Sequence, residues 1–506
     1  MPQFHRTAQH EFYAFLYVVI NRQPPGTQGG KKNRVEQIKL MVMAKKKMGS
    51  SIPVFILILL LSLSAWSCHR GPVDNGNDTI DSTELIGSPS LPSPQDIKVN
   101  IYIENSGSMD GFVEKGTTDF KDDVYNLLVD IENWYDPNDE GSVHLYFINN
   151  DCKEKLQVFD ASSGKEIADF ATWIGVNWKK QMLNRGSNTN INNIFSSILQ
   201  RTDEQTISIL ISDCIYSIGN GKTMEQLGIA KAGTKDAFLK GCKRGERDLA
   251  TSIYRMTSAF DGSYYPYTGD ANKFLYRGDL PYYICVFANN DVMNDFCSKV
   301  TISEKDYKGY KNRYTISHSS TEEPYWTILP LTKKKGRFQK IREENCVDKV
   351  HGIDNVERDR YGVLSFCVAV DMSGVNVQED YLLNPANYIL DNTRYTIASI
   401  TPFNKEEINP SDLIMLQKGS QMPTHILTIE ATGTAICDLG ISLERKMPQW
   451  IDTFNIMDDT SKEKLENKGN VGSFGLRYWI EGISRAYETL YPGDNEYFNL
   501  KITIKK

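Results

Sequence analysis

The stretch Ile97-Lys98-Val99-Asn100-Ile101-Tyr102-Ile103-Glu104-Asn105-Ser106-Gly107-Ser108-Met109-Asp110-Gly111 decides how this chain is read. Its first eight residues alternate apolar and polar side chains, the period of a strand. The next seven are mostly small or polar, the composition of a tight turn. A helix is expected from about Asp119 to Tyr135, where Val124, Leu127, Leu128 and Ile131 recur at helical spacing. Residues 143–148 read as a second strand, and residues 192–199 as a helix directly after Gly186-Ser187-Asn188-Thr189-Asn190-Ile191. Ile207-Ser208-Ile209-Leu210-Ile211-Ser212-Asp213 is an almost unbroken apolar run ending in an acid, as in a strand buried on both faces. Residues 282–287 repeat that pattern after a long insertion near 218–280. Alternating strands and helices predict an α/β fold with a doubly wound, mostly parallel sheet over residues 96–310.

Downstream, strand-like runs at 363–370, 388–390, 395–400, 426–430 and 435–443 are separated by turns containing Asn, Pro and Gly. This spacing predicts a second domain over 311–506, mainly β and sandwich-like. It carries a late helix with Leu476, Trp479, Ile480, Ile483 and Tyr487 on one face. Phe498, Leu500, Ile502 and Ile504 then alternate in an edge or closing strand.

Upstream, Lys45-Lys46-Lys47 precedes an apolar run from Ile52 to Leu63, too short to span a bilayer but of the length and flanks of a secretory signal. The run ends Leu63-Ser64-Ala65-Trp66-Ser67-Cys68, which resembles the lipobox of bacterial lipoproteins. That resemblance implies a signal peptide over 43–67, cleavage before Cys68, and acylation of the cysteine. Two or three acyl chains anchor a protein stably where one does not. His69 after the lipid cysteine favours the outer membrane by resemblance to lipoprotein sorting rules. Residues 1–42 have no coherent pattern and read as an upstream extension. Residues 68–95, rich in Asp, Asn, Ser, Gly and Pro, read as a flexible tether.

The turn Glu104-x-Ser106-x-Ser108, the loop Thr189-Asn190-Ile191 and the strand-end Asp213 resemble, in order and spacing, the metal-ion-dependent adhesion site of the von Willebrand factor A domain. In that family an Asp-x-Ser-x-Ser turn, a Thr and an Asp on three loops hold a divalent cation, and an acidic residue of a protein partner completes its shell. The chemistry is coherent without the family. Open sheets place ligand sites beyond the carboxyl ends of their parallel strands, and two carboxylates with three hydroxyls suit a hard cation: Mg²⁺, Ca²⁺ or Mn²⁺. Glu104 departs from the family's Asp by one methylene, about 1.5 Å of reach, which favours binding through water, binding of Ca²⁺, or a site that no longer holds metal. The alternative for the two serines is that they cap the following helix, with Asp213 hydrogen-bonded to their loop.

The remaining features bound the function. A net charge of −7 argues against nucleic acid as a partner. Apart from Cys68 the cysteines show no zinc-ligand spacing, and Cys285 and Cys367 sit in apolar runs where a thiol is a small buried hydrophobe. The four histidines past the tether, His144, His318, His351 and His425, lie in no catalytic motif, and no phosphate loop or nucleophile elbow is present. No enzymatic activity is therefore expected. Tyr264, Tyr265 and Tyr267 form a Tyr-rich loop with Gly and Pro, suited to a recognition surface or to packing of the insertion. The expected function is a lipid-anchored, extracytoplasmic binding protein that engages a protein partner through the metal face. The alternatives are an envelope scaffold with a vestigial site and a glycan-binding lipoprotein.

Overall fold

The structure, a computed structural model, describes residues 97–506 except 114–115, 135–142, 152–154, 161–188, 220, 319–322, 343–345, 347, 376, 420, 432, 434–435 and 467–468. The expected leader, Cys68 and the tether lie outside the described residues. Among the described residues no helix is long and apolar enough to cross a membrane.

The turn-bearing stretch forms β1 (Lys98–Glu104), an interior strand of a seven-stranded sheet with β2 (Val143–Asp151), β3 (Lys155–Asp160), β4 (Thr206–Ser212), β5 (Leu249–Tyr264), β6 (Phe274–Asn289) and β7 (Tyr310–Ile316). Their spatial order is β3-β2-β1-β4-β6-β5-β7. β1 pairs in parallel with β2 on one side and β4 on the other. The other joins, β2 to β3, β4 to β6, β6 to β5 and β5 to β7, are antiparallel. The sheet is therefore mixed, and parallel pairing is confined to the adjacent strands β2, β1 and β4. The difference from the expected mostly parallel sheet originates in residues 218–280, which are no excursion from the sheet. They hold β5 and the start of β6, paired residue for residue from Leu249↔Asn289 to Tyr264↔Phe274. A hairpin joined by so short a connection is necessarily antiparallel.

Helices cover both faces. They are α1 (Asp110–Val113), α2 (Asp119–Trp134), α3 (Ile191–Arg201), α4 (Thr223–Gly241), α5 (Asn290–Lys299) and α6 (Leu476–Leu490). Successive residues of β6 point to opposite faces and meet different helices. Tyr282 packs edge-on against Phe112 of α1 and Phe120 of α2, with ring centroids 5.7 and 4.9 Å away. Its neighbour Tyr283 meets Trp479 of α6 at 5.5 Å. Phe287, on the face of Tyr283, lies 6.0 Å from Phe195 of α3 and 5.9 Å from Phe238 of α4.

The late helix was grouped by sequence with the β-rich region, yet its apolar face belongs to the core of the first sheet. Leu476, Trp479, Ile480, Ile483 and Ala486 are buried in the same cluster as the residues of β1, β4 and β6. The helix satisfies its apolar stripe on α4 and the sheet.

Beyond β7 the chain builds β8 (Trp326–Leu329), β9 (Arg337–Arg342), β10 (Val350–Glu357), β11 (Leu364–Val370), β12 (Tyr388–Leu390), β13 (Tyr395–Pro402), β14 (His425–Ala431), β15 (Cys437–Glu444) and β18 (Glu496–Ile504). The two-residue strands β16 (Asn455–Ile456) and β17 (Ser473–Phe474) pair with each other beside the first sheet. The others form a five-stranded sheet, β12-β15-β18-β10-β9, and a four-stranded antiparallel sheet, β13-β14-β11-β8. Ile353, Ile441 and Ile502 of one and Ile328, Phe366 and Leu427 of the other share a second hydrophobic cluster. The closing strand β18 is not an edge. It lies between β15, antiparallel, and β10, parallel. The last residues of the chain thus serve both cores, α6 the first and β18 the second.

Trp479 is fully buried. Trp479→Ala is expected to lower stability by about 3–5 kcal/mol in denaturant unfolding, and a change below ~1 kcal/mol would show that the helix is not integral to the first core.

Candidate functional site

Glu104 ends β1 and Asp213 follows β4 directly, so both carboxyls emerge at the same edge of the sheet, beyond the carboxyl ends of two adjacent parallel strands. Thr189 precedes α3, whose start is fixed by Asn190. The Asn190 side chain accepts a 3.0 Å hydrogen bond from the Asn192 amide, a standard cap that holds the loop against the sheet. Ser106 and Ser108 lie in the turn between β1 and α1. Glu104, Ser106, Ser108, Thr189 and Asp213 are all buried, with Glu104 3% and Asp213 7% exposed.

The turn is held from two sides. The Asn105 amide donates to the carbonyl of Ile148 at 3.0 Å, and Asn149 Nδ2 donates to the carbonyl of Asn105 at 2.9 Å. From the other side the β5–β6 hairpin closes on α1. A Cβ on Gly111 would stand 2.4 Å from the Phe260 ring, and one on Gly262 2.9 Å from the Cα of Gly111. Only residues without side chains permit that approach.

Inside, the hydroxyls of Ser106 and Ser108 bind each other and the acids rather than the backbone. Ser106 makes no side-chain cap to the turn that follows it. Its Oγ lies 2.8 Å from Oγ of Ser108, whose hydroxyl in turn supports Asp213. The capping alternative therefore does not describe Ser106. Asp213 Oδ1 also accepts from the Ile215 amide at 3.3 Å. Glu104 Oε2 accepts from the hydroxyl of Ser212 at 2.5 Å, and that hydroxyl accepts from the Cys214 amide at 2.9 Å. Thr189 Oγ1 is buried and makes no well-formed hydrogen bond, although its hydroxyl is near enough to favour the charge on Glu104.

Burial, and then the neighbouring Asp213 charge, raise the Glu104 carboxyl from its ordinary 4.5 to about 8; the hydroxyls of Ser212, Ser106 and Thr189 pull it back only in part. Burial also raises Asp213. Among the described residues, no ammonium or guanidinium contributes to the shift of either acid. Two dry carboxyls without a cation are costly to ionise, and an orphaned hydroxyl beside them marks an unmet bond. The donor set is all oxygen, and a small hard cation would answer both deficits. Among the described residues no group of three or more His, Cys, Asp or Glu side chains is placed to hold a metal, so any ion here depends on the hydroxyls. Glu104, Asp213, Ser106, Ser108 and Thr189 would hold it.

A narrow cleft leads to Ser108 and Asp213 between Tyr264 and Tyr265 of the hairpin and Gly472 and Ser473 of the late segment. Of the expected recognition loop, Tyr264 is buried and donates to Asp459 Oδ2 at 2.7 Å, and the Tyr267 ring stacks on Phe474 at 4.2 Å. Both pack the hairpin against the late segment. Half-buried Tyr265 also lines the cleft, with the Lys273 ammonium 5.7 Å from its ring. Sequence reading missed Ser212, although a hydroxyl next to Asp213 at a strand end was a signal for it. The contribution of Gly472 and Ser473 had no local signal.

A carboxyl protonated in the fold but ionised in the unfolded chain contributes stability that is complete below its ordinary value and is lost as pH rises through its folded value. Metal-free protein is therefore expected to lose stability as pH rises from 4.5 to about 8, and Glu104→Gln to flatten that slope. Equal slopes in thermal melts would show that Glu104 is not the group responsible. No family model, no curated protein and no solved structure matches the chain.

Proposed function

We propose that the chain is a non-enzymatic, extracytoplasmic binding protein with a von Willebrand A-like domain, tethered through lipid on Cys68 to the cell envelope at its outer membrane. A divalent cation held by Glu104, Ser106, Ser108, Thr189 and Asp213 forms its contact with an acidic group of a protein partner. One observation carries the reading. Two buried acids and a buried hydroxyl without a well-formed hydrogen bond converge beyond adjacent parallel strands, with no cationic side chain among the described residues there. Supporting it, the strand order β2-β1-β4 puts the motif residues at one edge, as the resemblance requires. The second core, read as a sandwich, spaces the binding face from other contacts.

The depth of the site favours a second reading. With Asp213 7% exposed behind a narrow cleft, a bound ion would serve to pin the β1 and β4 loops in an envelope scaffold, and partner contacts would lie elsewhere. Calorimetric titration of Mg²⁺, Mn²⁺ and Ca²⁺ into the protein is expected to show one site that Asp213→Ala abolishes. Affinity is expected to increase with pH up to about 8, since the ligands must shed their protons. No heat from any ion in folded protein would reject the metal. Partner capture indifferent to chelator would select the scaffold.

A further inference from the structure

A second concavity lies far from these acids, where β7, the carboxyl half of α6 and the turn into β18 meet. It encloses about 120 Å³ of space open on one side, close to the ~150 Å³ of an engineered cavity that holds a single six-membered ring, and it sits where segments of both cores meet, the kind of place where ligand sites concentrate. Three aromatic rings, Tyr314, Tyr487 and Tyr491, form its walls. The first two are buried, 8% and 5% exposed.

Its polar groups are held in place. Arg445 Nε donates to the carbonyl of Glu496 at 3.0 Å, its guanidinium lies 4.7 Å over the Tyr497 ring, and Nη2 is 3.6 Å from Asp494 Oδ2. Asp494 Oδ2 is also 2.7 Å from Nδ1 of His318, whose ring stacks on Tyr491 at 4.1 Å. Ser317, Ser484 and Asn495 line the same space, together with exposed Glu488.

We propose that this cavity binds a monosaccharide unit. A lone anion would meet Asp494 and Glu488 beside the single guanidinium. A lone cation would meet Arg445. An apolar ligand would strip water from an ion pair and give nothing back. A pyranose avoids all three penalties. Each hydroxyl donates and accepts, matching interspersed donors and acceptors, while its C–H face lies on an aromatic ring. The prearranged arginine and tyrosines keep the ordering cost of binding low.

The experiment is saturation-transfer NMR and calorimetry on the whole protein with glucose, galactose, mannose and N-acetylglucosamine, and with glycine and glutamate as zwitterionic probes. At least one sugar is expected to saturate at millimolar concentration. Ser484→Trp, which fills the cavity, should weaken it by about tenfold or more, and Glu488→Ala, a rim change that leaves the melting temperature unaltered, by a few-fold. Chelator and Asp213→Ala should leave sugar binding unchanged, which separates this site from the cation site. The proposal is overturned if no sugar saturates, if an amino acid saturates and sugars do not, if both variants bind as the parent does, or if binding requires the cation.

Discussion

Strand β1 is enclosed by β2 and β4 at its edges and by helices on both faces, and every residue from Val99 to Glu104 is buried. Whatever stands at its carboxyl end is therefore carried into a dry interior. A carboxyl at a solvated loop would ionise at its ordinary value; at this position burial and the nearby Asp213 hold Glu104 far above it. The hydroxyls of Ser106, Ser108, Ser212 and Thr189 and the Ile215 amide are the polar groups that the described residues bring to the two acids. The geometry of the turn, the clamp of the hairpin on Gly111 and the cap at Asn190 all fix this small polar pocket in an apolar surround.

The second organising feature is the return of the chain's end. Residues after β15 pass to the first core, form β16 and β17, bury α6 against α4 and the sheet, and then return as the interior strand β18 of the second core. Neither core is complete without them. The path also supplies the far wall of the acid cleft through Gly472 and Ser473 and most of the wall of the junction cavity through α6 and the turn after it. Asp459 is fully buried and anchors Tyr264 and Tyr267 to this returning segment.

Much of the architecture was legible in the sequence where a local period governs it. β1, β4, β11, β14 and α6 lie within a residue or two of where alternation, unbroken apolar runs or helical spacing put them. Cys285 and Cys367 are buried as expected of thiols in apolar strands. The members of the acid site were legible too, because a turn motif, a loop and a strand-end acid each carry a short-range signature.

What the sequence by itself determined is thus the set of elements, their burial and the residues at their ends, since these follow from side-chain periodicity and turn chemistry within a few residues. What only the tertiary structure decided is pairing and partnership. A strand's pattern does not state the direction of its neighbour, so the antiparallel β5–β6 hairpin was invisible within residues 218–280. An amphipathic helix does not state which apolar surface will cover it, so α6 was grouped with the wrong core. The depth of Glu104 and Asp213, and the junction cavity beside Arg445, arise from contacts among segments hundreds of residues apart, where hydrophobic burial is satisfied by any surface of the right shape and no local pattern records which.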